Sequence, residues 1–227
     1  MTDTTVAPST LAALLSSRFS CRAFLPDPVP EDVIVEILTM AQRTPSWCNT
    51  QPWQVAVTDS EATDRFRQGL AEAVRTVSQA PDIEFPGSYH GVYRDRRREC
   101  ALQLYSSLGI AGDRQASAEQ AMRNFDLFGA PHVAIVTTDA ALGTYAAVDC
   151  GLYVNTFLLA AQSLGVATVP QAALAGCAPY VRDFFDIADD RNVLCAISFG
   201  YPDLADPANG FRTGRADLES VVTWVSN

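Results

Sequence analysis

The segment from Tyr145 to Leu164, YAAVDCGLYVNTFLLAAQSL, constrains the fold more than any other part of the chain. Its main polar interruptions are Asp149, Asn155, Gln162 and Ser163, so a helix built from it is apolar nearly all round and has to be buried on most sides. No apolar run of about 18 residues is free of polar interruptions, which argues against a membrane span. The remaining elements must therefore wrap this helix, and a partner subunit can supply part of the cover.

The flanking sequence supplies those elements. Thr10 to Ser17 reads as a short helix and PVPEDVIVEILTMAQ as a second. In the second, Pro30 suits the first turn, Glu31 and Asp32 complement the positive helix end, and Ile34, Ile37, Leu38 and Ala41 fall on one face. WQVAVT is a buried strand, and Ser60 can cap a polar helix running to about Gln79. APDIEFPGSYHGVY reads as a long loop, followed by a helical region from about Asp95 to Phe128 broken near Gly112. HVAIVTT, VATVP and VLCAISFGYP are further strands, PYVRDFFDI is a short helix, and RADLESVVTWV reads as a closing helix. Strands and helices alternate without repeats or a clear linker, predicting one domain over residues 1–227 of the α/β or α+β class.

Composition narrows the function. A formal charge of -10 argues against duplex nucleic acid or an anionic membrane as the main partner, while a small anion remains open through local clusters. All 16 basic residues are arginine, which excludes a Schiff-base lysine, a pyridoxal phosphate anchor and a P-loop. The six cysteines, at 21, 48, 100, 150, 177 and 195, are never closer than the 18 residues between the last two, so neither zinc nor CxxC redox spacing occurs. The N-terminal MTDTTVAPST lacks the basic and long apolar regions of a signal peptide, and free thiols in a reducing cytoplasm are the simplest reading.

No Gly-x-Gly pair is present, so the dinucleotide-binding fingerprint is missing. Cys48 with His90 or His132 forms no known nucleophile signature, and a buried or simply free thiol is the stronger reading. The run RDRRRE, Arg94 to Glu99, can grip a phosphate or carboxylate or equally begin a solvated helix. Three separated pieces carry more. SSRFSCRAF sets Arg18, Ser20 and Arg22 at i, i+2 and i+4, so an extended or turning segment aims all three at one anion. PSWCNTQPW puts hydroxyl and amide groups beside tryptophan, where an ordinary connector would carry Gly, Asp and Ser. FRTGRADL adds Arg212, Thr213 and Arg215.

In this order the three pieces resemble the nitroreductase family of FMN-dependent oxidoreductases, whose pattern is Arg-x-Ser-x-Arg, then Pro-Ser-x-x-Asn-x-Gln-Pro-Trp, a long central helix and a terminal Arg. The resemblance rests on Arg18, Ser20 and Arg22; Pro45, Ser46, Asn49, Gln51, Pro52 and Trp53; Asp149 to Leu164; the strand ending SFGYP; and Arg215. Two departures stand out. Phe19 occupies a position where many members have a second basic or imidazole residue, which shifts weight to Arg212 and Arg215, and Trp47 with Cys48 replaces a usual small pair.

The resemblance implies an α+β fold with a mixed, mainly antiparallel sheet flanked by helices, a long buried central helix and an intertwined homodimer. It implies FMN as cofactor, NADPH or NADH as co-substrate and a small aromatic acceptor. It assigns Arg18, Phe19, Ser20, Arg22, Arg212 and Arg215 to the flavin of their own chain, and Pro45, Ser46, Trp47 and Asn49 to the partner's. Gln51, Pro52 and Trp53 fix the loop, Pro170, Gln171 and Ala172 present backbone to the hydride-accepting nitrogen, and Gln103 reads the flavin edge. Tyr89 and Tyr93 beside the arginine run, with Phe125 and Phe128 farther along and Trp47 from the loop, suit a flat acceptor with negative charge, a pattern that resembles the nitrobenzoate-reductase branch, or equally a loop packed on its own domain. Other flavin chemistry of the family, such as reductive dehalogenation or flavin cleavage, and flavin binding without turnover are the alternatives.

Overall fold

Strand β2, His132–Asp139, is buried at every residue but the last, which places it in the middle of a sheet covered on both faces. Around it the computed structural model, which describes residues 8–76 and 78–226, arranges β1 (Trp53–Val57), β3 (Ala167–Gln171) and β4 (Arg191–Gly200) in the order β1-β2-β4-β3. All three pairings are antiparallel, with a register shift between Val136 and Thr137. Ser20 makes one parallel bridge to Thr168 on the free edge of β3, so the sheet is mixed at that edge alone. The first seven residues, most of the stretch on which the signal-peptide reading rests, lie outside the described residues.

The helices are α1 (Pro8–Ser17), α2 (Glu31–Ala41), α3 (Ser60–Thr76), α4 (Gly91–Ser107), α5 (Arg114–Met122), α6 (Gly143–Ser163) and α7 (Ala178–Phe185). Side-chain alternation along the strands splits the core in two. Ala134, Val136, Ile197 and Phe199 meet α2 and α6 through Ile37, Ala41 and Phe157. Val133, Ile135, Val193 and Ala196 meet α3 and α7 through Phe66, Leu70 and Val181. Fully burying a side chain such as Phe66 or Phe157 contributes about 1.5–3 kcal/mol, so these two layers hold the sheet between them.

Helix α6 buries Ala146, Asp149, Cys150, Tyr153, Phe157, Ala160 and Ala161, of which Cys150, Tyr153, Phe157, Ala160 and Ala161 share a core cluster with the sheet. Its own chain covers only that face: Tyr145 (65%), Val148 and Leu152, spaced three and four residues apart on the opposite face, are exposed. The break near Gly112 falls where expected, between α4 and α5. Three local expectations need correction. Pro30 is the residue before α2 rather than in its first turn, with extended ψ 143. Asp59, not Ser60, caps α3, accepting the Ala62 N–H at 2.7 Å. The closing segment is no helix beyond the short 3-10 turn Leu218–Ser220, because Val221, Trp224 and Val225 find no apolar surface in their own chain and a helix that buries no face is marginal.

Candidate functional site

The segment after α1 runs extended along the edge of β3, with the Cys21 N–H donating to Thr168 O at 3.0 Å and the Leu25 N–H to Tyr201 O at 2.8 Å. An extended chain alternates its faces, so Cys21 and Ala23 turn into the core while Ser20 and Arg22 turn out. Arg18 and Phe19, just past α1, reach the same space, and Arg212, Thr213 and Arg215 meet them from the C-terminal segment. Together these residues line a cavity of about 380 Å³.

Asn209 fixes the two segments together. Its buried side chain accepts the Arg22 N–H at 2.8 Å and donates to Ala23 O and Asp203 O, each at 2.8 Å. Arg212 donates to Asn209 O at 2.8 Å, and its guanidinium carbon lies 3.9 Å from the Phe19 ring centroid. Arg22 donates to Ser20 O and stands 5.6 Å from the Phe211 ring. Among the described residues Arg215 donates only to Thr213 and to Gly214 O.

Among the described residues none of Arg18, Arg22, Arg212 and Arg215 pairs with a carboxylate. Burial, then the nearby Arg215, lowers the Arg18 pKa. Burial also lowers that of Arg22, opposed by the Cys100 and Cys21 thiols. Guanidinium groups stay protonated through such shifts, so positive charge concentrates here without a counter-ion among the described residues.

A second cavity, of about 270 Å³, shares Ser20, Arg22 and Cys100 with the first and continues under Pro170, Phe128 and Arg97. Phe128 and Leu127 both adopt left-handed backbone, φ 55 and 54, which is costly for non-glycine residues and frequent at functional sites. The Arg97 guanidinium lies 5.3 Å from the Tyr89 ring centroid. Gln103 lines a further space of about 660 Å³ with Arg96 and Arg215, and its Oε1 is buried without a partner among the described residues.

Several predicted residues lie elsewhere. The Gln171 side chain turns inward, donating to Asn124 O at 2.8 Å and accepting from Ser198 Oγ, and Ala172 is exposed beyond the strand; neither lines these cavities. Tyr93 is exposed, while Tyr89 reaches the site only through Arg97. Pro45, Ser46, Trp47 and Asn49 line none of the cavities around their own chain's arginines, and Trp47 is 63% exposed. Gln51 ties the loop back to Ser46 and Asn49, and Pro52 and Trp53 are buried where β1 begins. His132 gives no base to Cys48: its ring nitrogens are taken by the Val29 N–H and Thr58 O, and His90 bonds Ser88.

Sequence reasoning missed Cys100, Gln120 and Asn124. Cys100 borders all three cavities, and the Gln120 amide nitrogen is buried beside the second without a partner among the described residues. The available signal was that α4 and α5 carry few apolar residues for their length, so they line a site instead of filling a core. A separate cavity of about 370 Å³ between α3 and α7 has no arginine, and Glu72 and Asp183 on its wall would repel an anion. Among the described residues, no helix is long and apolar enough to cross a membrane.

Known proteins match this architecture. Nitroreductase NfnB of Mycolicibacterium smegmatis is 36% identical over 216 residues, covering 93% of this chain and 91% of that protein. A 4-nitrobenzoate reductase of Pseudomonas putida is 34% identical over 204 residues, covering 89% and 90%. The crystal structure of the FMN-dependent nitroreductase NfnB from Mycobacterium smegmatis in complex with NADPH superposes with a TM-score of 0.91 at 34% identity, over 96% of this chain and 99% of that one. The Nitroreductase family model matches residues 15–201, and the chain belongs to the nitroreductase family.

Proposed function

We propose that this protein is an FMN-dependent oxidoreductase that draws hydride from NADPH or NADH and reduces nitroaromatic compounds, acting as a cytoplasmic homodimer. One observation carries the reading: four arginines converge on one cavity without a carboxylate partner among the described residues, in a chain of net charge -10. A dianionic phosphate relieves the repulsion between Arg18 and Arg215 and takes up their charge-assisted hydrogen bonds. The adjoining cavity, lined by Phe128, Pro170 and Arg97, suits a flat ring. The residues present thus fit FMN.

FMN supplies the redox chemistry when bound, taking hydride from the nicotinamide and delivering it to the nitro group. The chain's own groups bind, orient and compensate charge. Arg18, Arg212 and Arg215 hold the phosphate, with Ser20 donating its hydroxyl beside them. Arg22, half-buried where the two cavities meet, stabilises negative charge that accumulates at the pyrimidine edge. The Pro170 backbone borders the ring, and Gln103 offers its unpartnered amide oxygen.

Pro45, Ser46, Trp47 and Asn49 serve the neighbouring subunit's flavin. Their position away from their own cavities, next to the exposed apolar stripe of α6, supports this assignment. Arg97, braced on Tyr89 at the cavity wall, gives a carboxylate on the acceptor a partner, which favours nitrobenzoate-like substrates. Six free cysteines suit a reducing cytoplasm.

Anaerobic half-reactions test the function. Addition of NADPH or NADH should bleach the flavin band, and 4-nitrobenzoate should restore it with the kinetics of turnover. A flavin that the nicotinamides reduce but that no nitroarene reoxidises would refute nitroreduction, and one that no nicotinamide reduces would refute the enzyme.

A further inference from the structure

We propose that Asp149 is a positioning residue that acts through Trp47 on the flavin of the other subunit. The proposal rests on the reading of Pro45–Trp53 as a shared-site loop. Asp149 lies on α6 at 7% exposure, and its carboxylate forms no ion pair among the described residues. Its hydrogen-bond donor there is the backbone N–H of Trp47, 3.2 Å from Oδ1 and 3.1 Å from Oδ2. A buried carboxylate without a counter-charge is costly, and an alanine or leucine would pack the same helix face without that cost. The residue therefore serves the loop better than it serves the core.

The loop needs such an anchor. Trp47 opens the 3-10 turn Trp47–Asn49, and the preceding Ser46 makes no side-chain cap bond to it, because Ser46 Oγ instead accepts the Gln51 N–H at 2.9 Å. Asp149 thus caps the turn from 102 residues away in sequence. Within the same loop Cys48, Asn49 and Gln51 adopt left-handed backbone, φ 52, 55 and 48, a conformation that non-glycine residues keep only when their surroundings impose it. One helical turn before Asp149, the Tyr145 ring meets the Trp47 indole, centroids 5.0 Å apart at 64°. The central helix thereby holds Trp47 by its backbone and by its ring, and Asn49 follows in the same turn.

Mixed dimers test the proposal. One chain carries Arg18→Ala with Arg215→Ala; its partner carries either Asp149→Ala or, as control, Trp47→Ala with Asn49→Ala. All homodimers of these variants should lose most nitroarene reduction at limiting FMN. Both mixed dimers should recover to roughly half the native activity, one intact site of two, because the damaged contributions come from separate chains. Asp149→Asn, which keeps an acceptor oxygen for the Trp47 N–H, should stay within about threefold of native as a homodimer.

Rescue in the control with none for Asp149→Ala would overturn the proposal while leaving the shared loop standing. No rescue in either would overturn both, with dimer composition confirmed by mass. If Asp149→Ala does not assemble, Asp149→Leu takes its place under the same criterion. Failure of both to assemble would assign Asp149 to the fold and contradict a positioning role.

Discussion

The guanidinium of Arg212 covers the ring of Phe19, carbon to centroid 3.9 Å, and so joins the N-terminal and C-terminal arginine segments across the mouth of the cavity. Phe19, where many family members have a basic or imidazole residue, thus contributes by holding an arginine from another segment. A cation over an aromatic face is worth about 0.5–1 kcal/mol at an exposed site. Phe19→Leu should therefore weaken FMN binding by about two- to fivefold while leaving the apo-protein's melting temperature nearly unchanged. A titration of apo-protein with FMN checks this, and an unchanged affinity would remove Phe19 from the grip.

Asn209 should affect both binding and folding. Asn209→Leu leaves the Arg22 N–H without its acceptor and removes one of the donors to the Ala23 and Asp203 carbonyls, which keep others. Unsatisfied buried groups cost about 1–3 kcal/mol, so urea unfolding of the apo-protein should show a loss of that order, with weaker FMN binding beside it. A variant as stable as the native protein would contradict the role of Asn209 as the tie between the segments.

Stability should fall at alkaline pH. Burial pushes the Cys21 and Cys150 thiols from 9.0 up to about 11 each, and the Tyr153 hydroxyl from 10.0 up to about 12. Raised folded values mean that the neutral forms are favoured inside. This contribution is fully present below pH 9.0, the ordinary thiol value, and is lost as pH rises through about 11 and 12. Melting temperature followed upward from pH 7 should stay level to about 9 and then decline, and Cys21→Ala should soften the decline. A profile level through pH 11 would contradict the burial argument.

The parts legible from sequence are those whose chemistry is local. Arg18, Ser20 and Arg22 are spaced by two, and an extended segment converts that spacing into a shared face whatever surrounds it. The strand HVAIVTT and the apolar run of α6 announce burial in the same way. Other outcomes depend on tertiary placement. Gln171 is expected to offer its backbone, and where its side chain goes is set by the register of β3 on β4, which turns the amide toward Ser198 and Asn124. Gln120 and Cys100 enter the site only because α4 and α5 are laid over the arginine segment, which no local pattern encodes. RADLESVVTWV has helical spacing but no surface in its own chain to bury, so the pattern has nothing to act on.

The central claim, that the arginine-lined cavity is an FMN site, is tested most directly by equilibrium titration of apo-protein with FMN, native beside Arg18→Ala/Arg215→Ala. The account predicts saturation at one FMN per chain for the native protein. The double variant should bind at least about a hundredfold more weakly, since two charge-assisted phosphate contacts are lost at about 1.5–3 kcal/mol each. Its apo-form should melt as the native apo-form does or slightly higher, because the mutual repulsion of Arg18 and Arg215 goes with the two side chains. Failure of the native protein to take up FMN, or an affinity that the double variant retains, would contradict it.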